Sequence, residues 1–374
     1  GTAHFTSAPT NWDVASGQGV RWKTELGLPG RNSPVVWEKK VFLAGADENA
    51  REIYCYDADS GRLIWKQTVE PQGDVPLDAP QVSEDTGFAA PTMAAHGGRI
   101  FAIFPNGDLV SYDADGNKMW GKAFGLPDNH YGHASSLLAF ENLLYVQLDQ
   151  SSEPKLLALD ISTGKEAWVA ERQKISWASP ILAQTPFGPQ VILNSEKTVD
   201  AYDPWNGALL WSQECLSGEV APSPAYSNGV VFAANEYAVA AAIGLEKAGD
   251  RIQPKILWEF DEYLPEVSSP VGDAERFYFG TSVGDLVCLD AKTGEKLWAE
   301  ELSEGFYSSP VLVGDRLYIL DNDGNMYIVQ AASTFNLIAR VSMGEPTYAT
   351  PAFLDGRIYL RTEKHLYCIE RSDV

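Results

Sequence analysis

The stretch "CLDAKTGEKLW" (residues 288–298) places an Asp, a Gly and a Trp at a spacing that the chain uses again and again. Close copies are "CYDADSGRLIW" (55–65), "SYDADGNKMW" (111–120), "ALDISTGKEAW" (158–168) and "AYDPWNGALLW" (201–211). An internal repeat is the first feature to interpret, because it constrains the whole fold.

Each copy predicts a β-hairpin. The apolar residues before the Asp alternate as in a strand, the Asp-x-x-x-Gly segment suits a tight turn, and the apolar residues ending in Trp begin the next strand. Asp accepts hydrogen bonds from N–H groups of the turn, and Gly adopts a positive φ. The Trp offers a large flat surface for burial. We expect such tryptophans to dock one repeat on its neighbour: Trp22, Trp65, Trp120, Trp168, Trp211, Trp258 and Trp298.

A second sequence motif, or phrase, recurs with the same period as the first. It reads "NSPVV" at Asn32, "AAPTM" at Ala89, "ASSLL" at Ala134, "ASPIL" at Ala178, "PSPAY" at Pro222, "SSPVG" at Ser268, "SSPVL" at Ser308 and "ATPAF" at Ala349. Most copies are followed by a turn and a further strand, so each period supplies four short strands. Eight four-stranded units predict an all-β, eight-bladed propeller around a central channel.

The eighth unit lacks its last strand, because "ATPAFLDGRIYLRTEKHLYCIE" (349–370) contains only three. We expect "GVRWKTEL" (19–26) to complete it and to remove the open sheet edges. Blade seven has lost Asp, Gly and Trp in "VQAASTFNLIA" (329–339), which predicts a weaker contact with its neighbour. The expected organisation is one propeller domain over 1–374, with blades at 31–70, 88–125, 133–172, 177–215, 221–261, 267–302, 307–343 and 349–370 plus 19–26.

Composition limits the function. The formal net charge is −23, from 51 acidic and 28 basic side chains, which argues against a nucleic-acid partner because phosphate binding depends on Lys and Arg. No apolar run approaches the roughly 18 residues of a transmembrane helix. The chain opens with Gly1 rather than Met, which is consistent with an exported protein whose signal or lipid-bearing Cys lay upstream. We expect a monomer.

The repeat resembles the tryptophan-docking motif of the pyrroloquinoline-quinone (PQQ) repeat propellers over residues 19–370. One branch of that family comprises quinoprotein dehydrogenases, periplasmic enzymes that hold PQQ and calcium on the propeller axis. The other comprises compact, non-catalytic propellers, including the BamB-like lipoprotein that assists outer-membrane β-barrel assembly. The dehydrogenases usually carry a disulfide between adjacent cysteines and long inserts over the cofactor. This chain has no Cys-Cys pair and only short inserts.

The resemblance therefore implies the compact branch. It predicts a scaffold of the bacterial cell envelope, periplasmic or otherwise exported, that binds protein partners without catalysis and without a cofactor. The alternative is an oxidoreductase or sensor that binds PQQ or another small ligand at the channel mouth. Exposed aromatic residues also allow a polysaccharide-binding module.

Residues just before each second phrase enter the innermost strands together, so they should surround one mouth of the channel. Aromatic groups mixed with a few polar ones suit a concave ligand site. The candidates are Arg31, Phe88, His130, Tyr131, His133, Trp177, Glu219, Glu266, Tyr307 and Tyr348. The alternative is that these side chains simply fill the channel.

Metal-binding patterns are weak. His130 and His133 have a spacing compatible with ligation, but a site needs further ligands that the sequence does not place. "DNDGN" (321–325) resembles the start of a calcium loop, yet it lacks the late bidentate Glu and is better explained as a hairpin turn. We expect no metal. The Pro-rich acidic insert "VEPQGDVPLDAPQVSEDTG" (69–87) is either a surface contact outside the channel or a solvated link between blades.

Overall fold

The computed structural model describes residues 2–3, 7–76, 78, 80–129, 131–173 and 175–371. Eight sheets follow one another along this part of the chain, and each contains four antiparallel strands. Seven of these sets use consecutive strands, and the eighth takes one strand from the N-terminal part of the chain. Eight buried apolar clusters lie between neighbouring sheets, one at each junction of the ring. The predicted eight-bladed propeller is confirmed.

The first four blades are built from sixteen strands. Blade one contains β3 (Val35–Trp37), β4 (Lys40–Ala46), β5 (Arg51–Asp57) and β6 (Leu63–Thr68). Blade two contains β7 (Ala94–His96), β8 (Arg99–Ile103), β9 (Asp108–Asp113) and β10 (Lys118–Ala123). Blade three contains β11 (Leu138–Phe140), β12 (Leu143–Leu148), β13 (Lys155–Asp160) and β14 (Glu166–Glu171). Blade four contains β15 (Ile181–Thr185), β16 (Gly188–Asn194), β17 (Thr198–Tyr202) and β18 (Leu209–Glu214).

The remaining blades continue the pattern. Blade five contains β19 (Ala225–Ser227), β20 (Val230–Ala234), β21 (Ala240–Ala248) and β22 (Arg251–Phe260). Blade six contains β23 (Val271–Gly272), β24 (Arg276–Gly280), β25 (Asp285–Asp290) and β26 (Lys296–Glu301). Blade seven contains β27 (Val311–Val313), β28 (Arg316–Leu320), β29 (Asn325–Gln330) and β30 (Leu337–Ser342). Blade eight contains β31 (Ala352–Leu354), β32 (Arg357–Arg361) and β33 (His365–Ile369).

An N-terminal strand completes blade eight, as the sequence predicts. Strand β2 (Val20–Glu25) pairs antiparallel with β33, and Trp22 lies opposite Cys368. A further short strand, β1 (Thr2–Ala3), pairs in parallel with β27 and gives blade seven a fifth strand that the sequence does not predict. No helix of the described residues is long and apolar enough to cross a membrane.

The second sequence phrase forms a belt around the axis. In each blade a backbone N–H near the start of the innermost strand donates to a Ser or Thr hydroxyl of the next blade. These eight bonds measure 2.9 to 3.1 Å and join, in order, Ser33, Thr92, Ser136, Ser179, Ser223, Ser269, Ser309, Thr350 and again Ser33. Side-chain hydroxyls thus satisfy donors that the short innermost strands leave unpaired.

The first phrase joins blades farther from the axis. Asp57 Oδ1 accepts the N–H of Ser60 at 2.8 Å and fixes the turn. Gly61 then lies under the ring of Trp22, where an added Cβ would come within 2.5 Å of the indole. Trp22 Nε1 donates to the carbonyl oxygen of Ala58 at 3.0 Å. The same bond runs from Trp65 to Ala114, Trp120 to Ile161, Trp168 to Pro204, Trp258 to Ala291 and Trp298 to Ala332.

Trp211 differs from the other six tryptophans. Its Nε1 donates to Oε1 of Gln190 in its own blade, at 2.8 Å. Blade five replaces the Asp-Gly turn with the long β21–β22 hairpin, so no turn carbonyl is presented to this indole. The ring of Trp211 instead packs in one apolar cluster with Ile243 and Leu245 of that hairpin.

The N-terminal segment strengthens the junction between blades seven and eight. Blade seven has Ala339 opposite Ile328, in the register where blade six has Trp298 opposite Cys288. Trp12 packs into the apolar cluster of this junction with an exposed fraction of 3%. Its Nε1 also donates to Sδ of Met343 at 3.3 Å. An indole from outside the repeats therefore lies at the junction where the repeat has lost its own.

Candidate functional site

One end of the propeller collects the loops that surround the channel. In a four-stranded antiparallel blade, the turn between the second and third strands and the connection to the next blade lie at the same end of the strands. The other two turns lie at the opposite end. We call the first end the mouth face and the second the opposite face.

The mouth face contains a cavity of about 270 Å³ on the propeller axis. Loops from around the whole ring line it, and seven of the ten residues expected from the sequence are among them. These seven are Arg31, Tyr131, Trp177, Glu219, Glu266, Tyr307 and Tyr348. The structure therefore brings together side chains that are more than 300 residues apart in the chain.

Two expected residues do not line the cavity. Phe88 packs against the apolar cluster between blades one and two. His133 is buried, and its Nε2 lies 3.0 Å from the carbonyl oxygen of Ser135. Burial lowers the pKa of His133 to about 4, because the charged imidazolium is poorly solvated there. The third, His130, lies outside the described residues.

The acidic insert 69–87 reaches the cavity, whereas the sequence leaves it either as a surface contact outside the channel or as a solvated link between blades. Ser83, Asp85 and Thr86 line the mouth. The insert connects blades one and two on the mouth face, and Arg31 Nη2 donates to the carbonyl oxygen of Glu84 at 3.1 Å. This contact with the first blade holds the end of the insert beside the axis.

Blade five supplies two cavity residues that the sequence interpretation missed. Glu236 and Tyr237 occupy the turn between β20 and β21. The mouth residues expected from the sequence all belong to the connections between blades. The turns between second and third strands lie on the same face. The polar and aromatic residues "NEYA" (235–238) after β20 could therefore have been predicted to lie at the mouth.

Aromatic rings form much of the cavity wall. The rings of Tyr131 and Trp177 meet edge to face, with centroids 4.8 Å apart and an interplanar angle of 84°. The rings of Tyr307 and Tyr348 lie 5.6 Å apart. The guanidinium carbon of Arg31 lies 3.8 Å from the centre of the Tyr348 ring. The wall can therefore contact a flat or apolar group from several directions.

The charged side chains of the cavity are mostly acidic. Among the described residues, Asp85, Glu219, Glu236 and Glu266 line it together with one cation, Arg31. The Tyr131 hydroxyl donates to Oε2 of Glu219 at 3.3 Å. Burial raises the pKa of Tyr131, and the negative charges of Glu219, Glu266 and Asp85 raise it further.

The same field acts on two other tyrosines. Burial raises the pKa of Tyr307, and Asp85 and Glu266 add to this effect. The pKa of Tyr237 is raised first by its hydrogen bond to Glu236, with smaller contributions from Glu219 and Glu266. Carboxylates from separate loops thus impose one negative potential on the cavity.

Metal ligation has little support among the described residues. No three His, Cys, Asp or Glu side chains in that part of the chain come together in a way that could hold an ion. In the turn 321–325, Asp321 Oδ1 accepts the N–H of Asn325 at 2.7 Å, and Oδ2 accepts its amide at 2.9 Å. The carboxylate of this turn is therefore engaged in fixing the hairpin. All four cysteines are free.

Known proteins place the chain in a family. The family described as "Outer membrane protein assembly factor BamB" matches residues 10–123, 49–249 and 247–337. The protein of that name from Shewanella oneidensis is 23% identical over 304 residues, covering 75% of this chain and 74% of the relative. A quinoprotein ethanol dehydrogenase from Pseudomonas aeruginosa is 30% identical over 87 residues, which cover 23% of this chain and only 13% of that enzyme.

A solved structure agrees on the fold. The crystal structure of BamB from Moraxella catarrhalis superposes with a TM-score of 0.67 at 15% sequence identity, covering 94% of this chain and 99% of that chain. The family match extends from residue 10 to residue 337, across most of the ring. The chain therefore belongs to the family described as outer membrane protein assembly factor BamB.

Proposed function

We propose that this chain is a non-catalytic propeller of the bacterial cell envelope that binds a protein partner through its mouth face during outer-membrane protein assembly. The family match and the named role of the Shewanella oneidensis relative support the process and the compartment, periplasmic or otherwise exported. The observation that carries the binding role is a set of exposed apolar side chains on the mouth face.

These side chains are Leu126, Tyr237 and Val283, with exposed fractions of 50%, 61% and 69%. Leu126 belongs to the connection between blades two and three, and the other two occupy turns between second and third strands. Other exposed apolar side chains, such as Leu209 at 57%, lie on the outermost strands. The three on the mouth face surround the cavity, and exposed apolar side chains beside a concave site favour a protein interface there. On the opposite face, Phe187 is 37% and Trp205 49% exposed, and Nε1 of Trp205 donates to Oε2 of Glu141 at 3.1 Å.

The cofactor of the dehydrogenase branch does not fit the residues at the mouth. Calcium takes six to eight oxygen ligands, and the described residues contain no three His, Cys, Asp or Glu side chains able to hold a metal. PQQ itself carries several carboxylates. Of the residues that the structure describes, the cavity presents one cation, Arg31, against four carboxylates, so an anionic quinone would be repelled. We therefore propose a function without this cofactor.

Crosslinking in the source bacterium tests the partner and the face. A photoreactive residue is placed at Val283, at Leu126 and, as a control of comparable exposure, at Trp205. We expect crosslinks to an outer-membrane β-barrel protein or to its assembly machinery from the two mouth-face positions and not from Trp205. Equal crosslinking from both faces, or no envelope protein among the products, would contradict the proposal.

Loss of the gene tests the process. We expect deletion to reduce the amount of β-barrel proteins in the outer membrane and the intact gene to restore it. The double variant Val283→Ser, Leu126→Ser should restore it poorly, whereas Trp205→Ser should restore it fully. An unchanged outer-membrane protein content after deletion would exclude the proposed role.

A further inference from the structure

The mouth cavity has a negative charge that no ion pair among the described residues neutralises. Asp85, Glu219, Glu236 and Glu266 come from four different loops and line one space. Within the described part of the chain, no ion pair joins any of the four to a Lys, Arg or His. A positive group entering the cavity would therefore gain Coulomb energy without displacing a cation of the protein.

The cation of the cavity, Arg31, is engaged elsewhere. Its guanidinium packs on Tyr348, its Nη2 donates to the carbonyl oxygen of Glu84, and its Nη1 lies 3.5 Å from Oε1 of Glu363. These contacts fix the group at one side of the mouth. It acts as part of the wall, and neither Glu219 nor Glu266 is among its ion-pair partners.

The aromatic wall suits the same kind of ligand. The face of an aromatic ring attracts a cation within about 6 Å, and it also packs against methylene groups. Trp177 and Tyr131 meet edge to face beside Glu219, and the Tyr131 hydroxyl bonds that carboxylate. An apolar stem on the rings would thus bring its charged end close to the carboxylates.

The cavity volume limits the size of the ligand. About 270 Å³ is below the 300 to 1,000 Å³ typical of sites for drug-sized molecules, and it suits a group of amino-acid size. We propose that the mouth cavity binds a small organic cation, an ammonium or guanidinium group on an apolar stem. The source is either a free amine or the Lys or Arg side chain of a polypeptide. The inference does not require the protein partner proposed above.

Calorimetric titration of the purified chain tests the chemistry. The cationic compounds are 1,5-diaminopentane and the capped amino acids Nα-acetyl-lysine and Nα-acetyl-arginine methylamides. The matched neutral and anionic compounds are Nα-acetyl-norleucine methylamide and glutarate. We expect saturable binding of one cation per chain, weakened about tenfold or more on raising the salt to about 0.5 M. No saturable cation binding up to about 10 mM, or binding of the neutral compound with equal affinity, overturns the inference.

The two sources are separated by the same titrations. Tighter binding of the diamine identifies a free amine, and tighter binding of a capped amino acid identifies a basic side chain. Both outcomes support a cation site. Preference for glutarate over every cation would overturn it.

Variants test the location. Glu219→Gln and Glu266→Gln should each weaken cation binding about threefold to tenfold, and Trp177→Leu should weaken it similarly by removing the ring. Glu300→Gln is the matched control, because Glu300 is exposed on β26 and does not line the cavity. Thermal denaturation verifies that each variant is folded. Unchanged affinity in folded Glu219→Gln and Glu266→Gln proteins would exclude the mouth as the site.

Discussion

The backbone N–H of Thr350 in blade eight donates to the hydroxyl of Ser33 in blade one at 3.1 Å. This bond completes the belt of eight hydroxyls around the axis. Farther out, Trp22 donates to the Ala58 carbonyl and fixes the completed blade eight on blade one. The last and first blades are therefore joined at two distances from the axis. The second repeated motif supplies the inner contact, and the first supplies the outer one.

Replacing one hydroxyl of the belt should lower the free energy of unfolding by more than the small size of the group suggests. The hydroxyl of Ser179 accepts the N–H of Ser136, and the backbone N–H of Ser179 donates to the hydroxyl of Ser223. Ser179→Ala leaves the Ser136 N–H without its acceptor, so we expect a loss of about 1 to 3 kcal/mol in the free energy of unfolding, measured by urea denaturation. Ser179→Thr keeps a hydroxyl, as in Thr92 and Thr350, and should lose less. Equal losses in the two variants would exclude the hydrogen bond as the cause.

The close packing of a turn glycine against a tryptophan ring can be tested by comparison with a glycine that has no neighbour at the Cβ position. Gly61 and Gly344 both have φ +69°, but an added Cβ meets the Trp22 ring only at Gly61. Ala at either position incurs the strain of a positive φ, about 1 to 2 kcal/mol. We expect Gly61→Ala to lower the free energy of unfolding by at least about 1 kcal/mol more than Gly344→Ala, because the indole must also move. Similar losses of unfolding free energy in both variants would show that the packing of the Trp22 ring does not require the close approach of Gly61.

Trp12 should matter for stability as much as a tryptophan of the repeat. It is almost fully buried between blades seven and eight. We expect Trp12→Ala to lower the free energy of unfolding by about 3 to 5 kcal/mol, the usual range for removing a buried aromatic ring. Trp205→Ala is the control, since Trp205 is half exposed, and its loss should stay below about 1 kcal/mol. A small effect at Trp12 would mean that blades seven and eight hold together without the N-terminal segment.

The sequence predicts the blades well because the signals are local. Asp57, Gly61 and the turn between them lie within five residues, and the same spacing recurs along the chain. The completion of blade eight follows from a missing strand at one end and a spare Trp strand at the other. Trp12 was missed because it belongs to no repeat, and its role depends on Ala339, more than 300 residues away.

The site is predicted only in part, for reasons that are also physical. Tyr307 and Tyr348 precede regular innermost strands, so their position follows from the repeat. The sequence leaves the insert 69–87 either as a contact outside the channel or as a solvated link, because its course depends on the contact between Arg31 and Glu84, which no local pattern encodes. His133 shares the spacing of the mouth residues, yet its side chain is buried, where it reaches the Ser135 carbonyl.

Burial of His133 should make the fold sensitive to mild acid. The ring is neutral in the folded protein, with the proton on Nε2 donated to the Ser135 carbonyl, since a carbonyl can only accept. Its pKa is about 4 when folded, against the ordinary value of 6.5. Between these values the unfolded chain binds a proton that the folded chain does not, so stability falls as the pH is lowered from about 6.5 to about 4, by roughly 1.4 kcal/mol per pH unit.

The variant His133→Gln keeps a donor for the carbonyl but does not titrate in this range. We expect urea denaturation at pH 7, 6, 5 and 4 to show a shallower decline in the free energy of unfolding for this variant. Between pH 6 and 4.5, the slope against pH should correspond to about one proton fewer taken up on unfolding than in the unmodified protein. Gly61→Ala serves as a destabilised control with His133 intact, and its slope should equal that of the unmodified protein. If His133→Gln declines as steeply as the unmodified protein, the acid sensitivity comes from other groups, because a neutral side chain at this position cannot take up the proton that the unfolded histidine binds.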